Sequence, residues 1–371
     1  MRLIALLIAV VTLRASVSAQ TPAAALALEQ QGKFGEAAEA WKAVTKANPR
    51  DAGAFASLGL DLSRQQKYSE AAVAYRHAIA LNAKLPGVRL NLGLAEFKQG
   101  KFADAIAPLR AAERESASDQ PKMLLGLSYY GAGQFRDAIA TLKPLAVADP
   151  ANAELGRILA QSCLGVKDYA CAKEQFRQLL EQDPNSAATH ILLGEALDGL
   201  KETKEAIAEF NAAAQISPQE PEVHFGLGYL YWKSRQYDDA KREFEAELAE
   251  NPAHAQSLAY LGDIALKATQ LDEAAELLEK AVAKQADIRI AFLDLGAVRT
   301  EQKQYDGAVK ALMRAVELDP SEPDAHYRLG RVYKAMGNNA AAEKEFAKTR
   351  ELHQKADEAL RLKLPAPPPA Q

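Results

Sequence analysis

The chain has 371 residues, of which 48% are hydrophobic and 25% are charged, and its formal net charge is −4. This composition is ordinary for folded globular proteins and excludes a chain that is disordered throughout. Lysines and arginines alternate with aspartates and glutamates and form no basic stripe, so we expect no nucleic-acid partner.

The first predicted element is a secretory signal peptide over residues 1–19. Arg2 precedes an apolar run from Leu3 to Leu13, and the small residues VSA stand before Gln20. A charged start, an apolar core and a small-residue cleavage site are typical of such signals. The apolar run is too short to cross a bilayer, which needs about 20 residues. We therefore expect an exported chain, periplasmic or secreted, with no transmembrane segment after cleavage. A buried first helix is the alternative.

After residue 19 the chain repeats itself about every 34 residues. Ten alanines mark this period, with a single step of 33: Ala37, Ala71, Ala105, Ala138, Ala172, Ala206, Ala240, Ala274, Ala308 and Ala342. A glycine preceded by leucine recurs before most of these alanines, and a proline recurs after many of them. Self-similarity at a fixed period predicts a stack of equivalent supersecondary units.

The segment 221–252 shows what one unit contains. Two apolar faces with helical spacing follow one another: His224, Leu227, Gly228 and Tyr231, then Tyr237, Ala240 and Phe244. This spacing predicts two short helices that fold back on each other. A lone pair cannot bury the aromatic side chains, so each unit needs neighbours.

These residues resemble the tetratricopeptide-repeat (TPR) family, whose 34-residue helix-turn-helix signature includes a Leu-Gly pair, a tyrosine, an alanine, a phenylalanine and a proline. The resemblance covers nearly the whole chain after residue 19. It implies an all-α fold, a right-handed superhelical α-solenoid of about ten helix pairs over residues 20–363. It also implies a concave face that binds a protein or peptide partner, without naming that partner.

The two ends and the 33-residue step depart from the regular pattern. Thr21 and Pro22 suit the N-cap and first position of the opening helix, which signal cleavage would leave short. The missing residue is expected in the connection SASDQP, residues 116–121. After Ala340 a helix-favouring stretch of about 25 residues predicts a last helix extended as a cap. The Pro-rich tail, residues 364–371, is expected to be disordered.

The only two cysteines lie in the fifth repeat, on either side of its predicted turn. Antiparallel helices would bring Cys163 and Cys171 near each other, and an exported chain meets an oxidising environment. A disulfide is therefore one expectation. The other is a small buried hydrophobe and a surface thiol, because Cys163 fills a core slot and the slot of Cys171 points outward elsewhere.

A second face of the first helices carries the candidate partner-binding residues. Phe225, Tyr229 and Trp232 lie about 100° or more around the helix from the core stripe. The equivalent slots of the third and fourth repeats hold Leu90, Leu94 and Phe97, then Met123, Leu127 and Tyr130. Charged residues occupy these slots in other repeats, among them Glu195, Asp263 and Arg331. The family's geometry places this face in the concave groove, where apolar and aromatic anchors favour binding. The alternative is that these side chains only pack against the adjacent repeat.

No motif for catalysis or metal binding accompanies the repeats. The strings GxGxxG, GxxxxGK, HExxH, GxSxG and CxxC are absent from the sequence. Three histidines, His190, His224 and His326, share one repeat slot and are interpreted as packing residues. The sequence therefore predicts a non-catalytic interaction scaffold without a cofactor. An enzyme of unrecognised type acting on envelope glycans or peptides, and a structural brace that works by its convex face, are the alternatives.

Overall fold

The computed structural model describes residues 21–363, which form twenty α-helices and no strand. Ten helices precede Asn185: α1 (Pro22–Gln30), α2 (Phe34–Ala47), α3 (Ala52–Arg64), α4 (Tyr68–Leu81), α5 (Val88–Lys98), α6 (Phe102–Glu115), α7 (Asp119–Gly131), α8 (Phe135–Ala148), α9 (Ala153–Gly165) and α10 (Tyr169–Gln182). Ten follow it: α11 (Ala187–Gly199), α12 (Thr203–Ile216), α13 (Val223–Lys233), α14 (Tyr237–Glu250), α15 (Ala255–Lys267), α16 (Leu271–Lys284), α17 (Arg289–Glu301), α18 (Tyr305–Leu318), α19 (Pro323–Ala335) and α20 (Asn339–Lys363). The predicted signal peptide and Pro-rich tail lie outside the described residues.

The chain divides into two compact units at the junction of Pro184 and Asn185. Each unit contains five helix pairs, with an odd-numbered first helix and an even-numbered second helix. Within each unit every helix packs against the next one in sequence. The predicted all-α fold of successive helix pairs is therefore confirmed.

First and second helices occupy different faces of each unit. Most neighbouring first helices contact each other within a unit, whereas neighbouring second helices make no comparable contact. Helices that approach more closely lie on the inner side of a curved stack. We call the surface formed by the first helices the inner face and the surface formed by the second helices the outer face.

The Leu-Gly pair sets the close approach of the two helices within a pair. A Cβ atom on Gly228 would lie 2.6 Å from the ring of Phe244, which is fully buried on the second helix. In seven other pairs the equivalent glycine faces a large side chain sixteen positions later. These side chains are Tyr75, Leu109, Leu142, Phe210, Leu278, Leu312 and Phe346. The glycine thus makes the space that the large side chain fills.

The turn inside each pair depends on one residue with a left-handed backbone. This residue stands five positions before each marker alanine and is glycine in only some of the repeats. Thr269 is one of the exceptions, with a φ of 61°. The N–H groups of Thr269 and Gln270 donate to the last carbonyls of α15 at 3.0 and 2.9 Å, which closes the helix end.

Three of the expected irregularities are confirmed. Thr21 caps α1 by accepting a hydrogen bond from the Ala24 N–H at 3.2 Å, with Pro22 at the first helical position. The connection between α6 and α7 has three residues, where comparable connections have four or six. The last helix, α20, runs for 25 residues. No helix between residues 21 and 363 has the length and hydropathy needed to span a bilayer.

Cys163 on α9 and Cys171 on α10 are joined by a disulfide across the turn of the fifth pair. Their Cα atoms are 5.8 Å apart, which lies inside the range that such a bond requires. Cys163 is fully buried and Cys171 is half-buried. The fold thus permits the bridge, and its formation in the cell stays a prediction.

Candidate partner-binding groove

The inner face of the second unit carries a cluster of aromatic rings. Phe225, Tyr229 and Trp232 all lie on α13 and are all half-buried. Each of the three contacts Tyr260 on α15, with ring centroids 6.1, 5.7 and 4.9 Å apart respectively. The ring of Phe225 also lies 6.0 Å from that of Phe244 in the core. We call these four inner-face rings, Phe225, Tyr229, Trp232 and Tyr260, the aromatic cluster.

Charged side chains border the aromatic cluster. Lys233 lies 5.9 Å from the centroid of the Tyr229 ring and forms an ion pair of 2.6 Å with Asp198 on α11. Lys267 lies 5.7 Å from the Trp232 ring. Cations over aromatic faces gain electrostatic stabilisation. The aromatic cluster is therefore an apolar surface bordered by lysine and aspartate side chains.

The inner face of the first unit carries the other predicted residues. Leu90, Phe97 and Tyr130 pack against one buried cluster, and Met123 and Leu127 pack against the next. All five, like Leu94, are half-buried. The Tyr130 hydroxyl donates to Gln161 Oε1 on α9 at 2.7 Å. This stretch is aliphatic with polar edges, in contrast to the aromatic cluster.

The structure places all nine predicted groove residues on the inner face, but in two separate groups. Both interpretations from the sequence, partner binding and packing against the adjacent repeat, have a physical basis. These side chains pack against neighbouring helices and keep part of their surface exposed. Partner binding by these residues stays a prediction. Sequence reasoning missed Tyr260, which lies one position beyond the slot of Phe225 in the next repeat and so fell outside the compared slots.

Sequence reasoning also missed a pair of buried carboxyl groups beneath the aromatic cluster. Asp263 on α15 and Asp294 on α17 are 4% and 3% exposed. Asp263 accepts a hydrogen bond from Trp232 Nε1 at 2.5 Å and pairs with Lys267. Asp294 pairs with Arg328 on α19 at 3.4 Å. Burial, followed by repulsion from Asp263, raises the pKa of Asp294 to about 7. The available signals were the position of Asp294 between the leucines of a Leu-Gly segment and the position of Asp263 in a groove slot.

A similar pair lies in the first unit. Asp61 on α3 is fully buried, and burial followed by repulsion from Glu29 on α1 raises its pKa to about 7. Trp41 Nε1 donates to Glu29 Oε1 at 2.7 Å. The indole N–H of each tryptophan therefore donates to one carboxyl group of a pair. The other carboxyl group of the pair is buried and has a raised pKa.

The three histidines of the shared slot each have the same partner. Their Nδ1 atoms lie 2.6 to 2.8 Å from glutamates nineteen positions later, on the second helix of the pair: His190 with Glu209, His224 with Glu243, and His326 with Glu345. In other repeats neither the histidine nor the glutamate is present. For example, Phe292 stands in the histidine slot and Ala311 in the glutamate slot. The histidines therefore hold the two helices of a pair together.

The outer face of the second unit has an open hollow of about 560 Å³ between α17 and α18. Phe292, Leu295 and the half-exposed Met313 supply its apolar wall. Its charged residues are partly neutralised, since Arg299 pairs with Glu279 and Arg314 pairs with Glu317. Among residues 21–363, no group of three or more histidine, cysteine or acidic side chains is arranged to hold a metal ion.

Family models match most of the chain. A model described as "Tetratricopeptide repeat" matches residues 23–60, 57–120, 123–170 and 225–288, which together exceed half of the chain. A second model with the same description matches 164–227 and 200–246, and one described as "TPR repeat" matches 296–337. No curated protein sequence matches the chain.

Several solved structures are similar to this chain. The Cut9–Hcn1 hetero-tetramer of the APC/C has a TM-score of 0.54 and 14% identity, covering 89% of this chain and 80% of that chain. PilF of Pseudomonas aeruginosa has a TM-score of 0.50 and 18% identity, covering 54% of this chain and 92% of that one. YrrB, titled a TPR protein with an unusual peptide-binding site, has a TM-score of 0.41 and 24% identity, covering 52% and 99%. At these identities the likenesses to Cut9–Hcn1 and PilF show the fold alone, and the likeness to YrrB, with its lower TM-score, carries no argument.

Proposed function

We propose that this chain, which belongs to the tetratricopeptide-repeat family, is a non-catalytic scaffold that binds an extended segment of a partner protein along its inner face. Repeat proteins of this kind typically use their extended concave surfaces for binding. The observation that carries the proposal is the aromatic cluster, because Tyr229 and Trp232 stay half-exposed on the inner face. Tyrosine and tryptophan are the residues most enriched in binding hot spots.

Export belongs to the same proposal. The order of charge, apolar run and small residues within 1–19 supports a signal peptide. The pairing of the only two cysteines across one turn also fits an oxidising compartment. We expect the partner in a periplasmic or secreted extract.

A second candidate function is a structural brace that works by the outer face. The hollow beside Met313 favours it, because an apolar recess on an otherwise charged surface can seat an apolar side chain of another protein. The two candidates use different helices of each pair, the first helices on the inner face and the second helices on the outer face, and can be separated by mutation.

The test is affinity capture from such an extract with three proteins, followed by mass spectrometry. The inner-face variant carries Leu94→Ala, Leu127→Ala and Tyr229→Ala, which occupy one equivalent slot in three repeats. The outer-face control carries Val73→Ala, Val147→Ala and Met313→Ala, which are 51%, 72% and 50% exposed on second helices. Circular dichroism confirms that each variant is folded before capture.

We expect the wild type and the outer-face control to retain the same partner and the inner-face variant to lose it. Loss from the outer-face control alone would contradict groove binding and support the brace. Retention by both variants would overturn both candidates.

A further inference from the structure

The four carboxyl oxygens of Asp263 and Asp294 are not equally supplied with hydrogen-bond donors. Both oxygens of Asp263 have one, from Trp232 and from Lys267. Asp294 Oδ1 lies 3.4 Å from Arg328, and Asp294 Oδ2 is buried with no partner among residues 21–363. An ionised carboxylate only accepts hydrogen bonds, so two ionised groups cannot satisfy this oxygen. A proton on Asp294 Oδ2 can be donated to Asp263 and satisfies it.

The environment of the pair fixes which carboxyl group keeps the proton. Lys267 on α15 and Arg328 on α19 are the cations with the largest influence on Asp294, and Asp263 is the largest anionic influence. From α13 and α15 the neutral groups Trp232 and Tyr260 face Asp263. Asp263 accepts from Trp232 Nε1 and from Lys267, so both of its oxygens already act as hydrogen-bond acceptors. Asp294, whose Oδ1 lies 3.4 Å from Arg328 and whose buried Oδ2 has no donor among the described residues, holds the proton.

Arg328 connects this pair to a small hollow on the inner face. Its guanidinium donates to the Leu293 carbonyl at 3.2 Å and reaches Asp294 only at 3.4 Å, with about a third of the side chain exposed. The hollow, of about 100 Å³, is lined by Arg328 and Arg331 together with Ala297, Thr300 and Glu301. Arg331 has no ion pair among the described residues. Two arginines thus converge on an open recess in which Glu301 is the only acidic group.

We propose that the proton on Asp294 controls an anion subsite formed by Arg328 and Arg331, and that this subsite takes a carboxylate of the partner segment bound on the inner face of the second unit. This inference rests on the proposed groove function and adds the chemistry and the regulation of one subsite. The occupant follows from charge complementarity, because two guanidinium groups beside the hollow match a carboxylate.

Release of the proton to solvent changes the subsite. Ionised Asp294 attracts Arg328 and neutralises its charge. A carboxylate in the hollow is then attracted by Arg331 alone and repelled by Asp294. Protonated Asp294 leaves the Arg328 charge for the ligand. Carboxylate binding therefore tightens as the pH falls from 8 to 6, and binding takes up a proton.

The proton itself is tested without any partner. The indole N–H of Trp232 reports on Asp263 and is followed by ¹⁵N–¹H NMR against pH, with Trp41→Phe identifying its peak. We expect the peak to move with a midpoint near neutral pH, and Asp294→Asn to abolish this step, because the amide can donate to Asp263 in place of the proton. A peak that moves only below about pH 5, the range of ordinary carboxyl groups, would overturn the proposal.

The subsite is tested with acetate at pH 6 and pH 8, with chloride at equal ionic strength as the control. We expect acetate to shift the side-chain N–H peaks of Arg328 and Arg331 at lower concentration at pH 6. Asp294→Asn should remove this pH dependence, and Arg331→Gln should weaken binding at both pH values. Absence of an acetate-specific shift, or equal binding by the wild type at both pH values, would refute the subsite.

The source of the carboxylate is tested with the peptide acetyl-leucyl-tyrosyl-glutamate. A groove segment should bind more tightly than acetate, since its leucine and tyrosine add apolar area that can be buried on the inner face. Equal affinities for the peptide and for acetate would show that the occupant is a small free anion and not a protein segment. Neither measurement uses the captured partner, so failure of the subsite and failure of the proposed function remain distinguishable.

Discussion

Asp294 shows how the surroundings of one residue can outweigh its ordinary chemistry. Its pKa is raised from 3.8 to about 7 because its carboxyl group is buried beside Asp263. Between these values the folded chain holds a proton that the unfolded chain has released. The associated stabilisation is complete below pH 3.8 and is lost as the pH rises to about 7.

Asp294→Asn should therefore make the protein more stable at pH 8, by on the order of 2 to 4 kcal/mol, and leave its stability near pH 4 little changed. The measurement is urea denaturation followed by circular dichroism at both pH values. The exposed Asp238→Asn is the control and should show no such pH-dependent gain. Equal stability of Asp294→Asn and wild type at pH 8 would contradict a buried, protonated Asp294.

The cysteines give a second prediction at this scale. Protein recovered from the periplasmic or secreted fraction that we propose for it, and alkylated without reductant, should carry no label on Cys163 or Cys171, as shown by mass spectrometry. Reduction should then lower the free energy of unfolding by about 2 to 3 kcal/mol, the amount expected when so short a loop is opened. Two labelled thiols in the unreduced protein would rule out the bridge.

At the scale of the element, the turn inside each pair is defined by backbone geometry more than by residue type. Thr269 has a φ of 61°, a conformation that is costly for a β-branched residue. Thr269→Gly should raise the free energy of unfolding by about 1 kcal/mol, because glycine adopts this conformation without a steric penalty. Thermal denaturation measures the gain.

The reverse substitution in another repeat is the matched control. Gly133 has a φ of 71° at the equivalent position, and Gly133→Thr should lower stability by a similar amount. If Thr269→Gly destabilises the protein, the hydrogen bond from the Thr269 hydroxyl to the Ala268 carbonyl, at 2.6 Å, stabilises the fold by more than the left-handed backbone of Thr269 costs.

At the scale of the whole molecule, repeat proteins respond to damage locally, because each repeat contacts mainly its neighbours. The two tryptophans report on different units, Trp41 on the first and Trp232 on the second. Leu227 is buried at 2% exposure in the second unit. Leu227→Ala should destabilise that unit by about 2 to 5 kcal/mol.

The measurement is urea denaturation followed by tryptophan fluorescence in two backgrounds, Trp41→Phe and Trp232→Phe. Leu227→Ala should move the transition reported by Trp232 to lower urea and move that of Trp41 less. Equal shifts of both transitions would show that the chain unfolds as one cooperative body.

The sequence by itself determined the helix pairs, their number and their irregular points. The marker alanines and the Leu-Gly pairs recur because each makes the same short-range contact in its repeat, as Gly228 does with Phe244. Such contacts lie within one pair, at fixed sequence spacing, so a periodic pattern is enough to predict them. The inner-face slots of Phe225, Tyr229 and Trp232 were predictable for the same reason.

Only the tertiary structure decided which inner-face side chains meet between repeats. Tyr260 contacts three rings of the preceding pair, and Asp294 lies between Asp263 and Arg328 on the two adjacent first helices. These contacts depend on the stagger and rotation of neighbouring first helices, which the repeat period does not encode. Burial then sets the proton affinity of Asp294, and burial is a property of the packed helices and not of the residue.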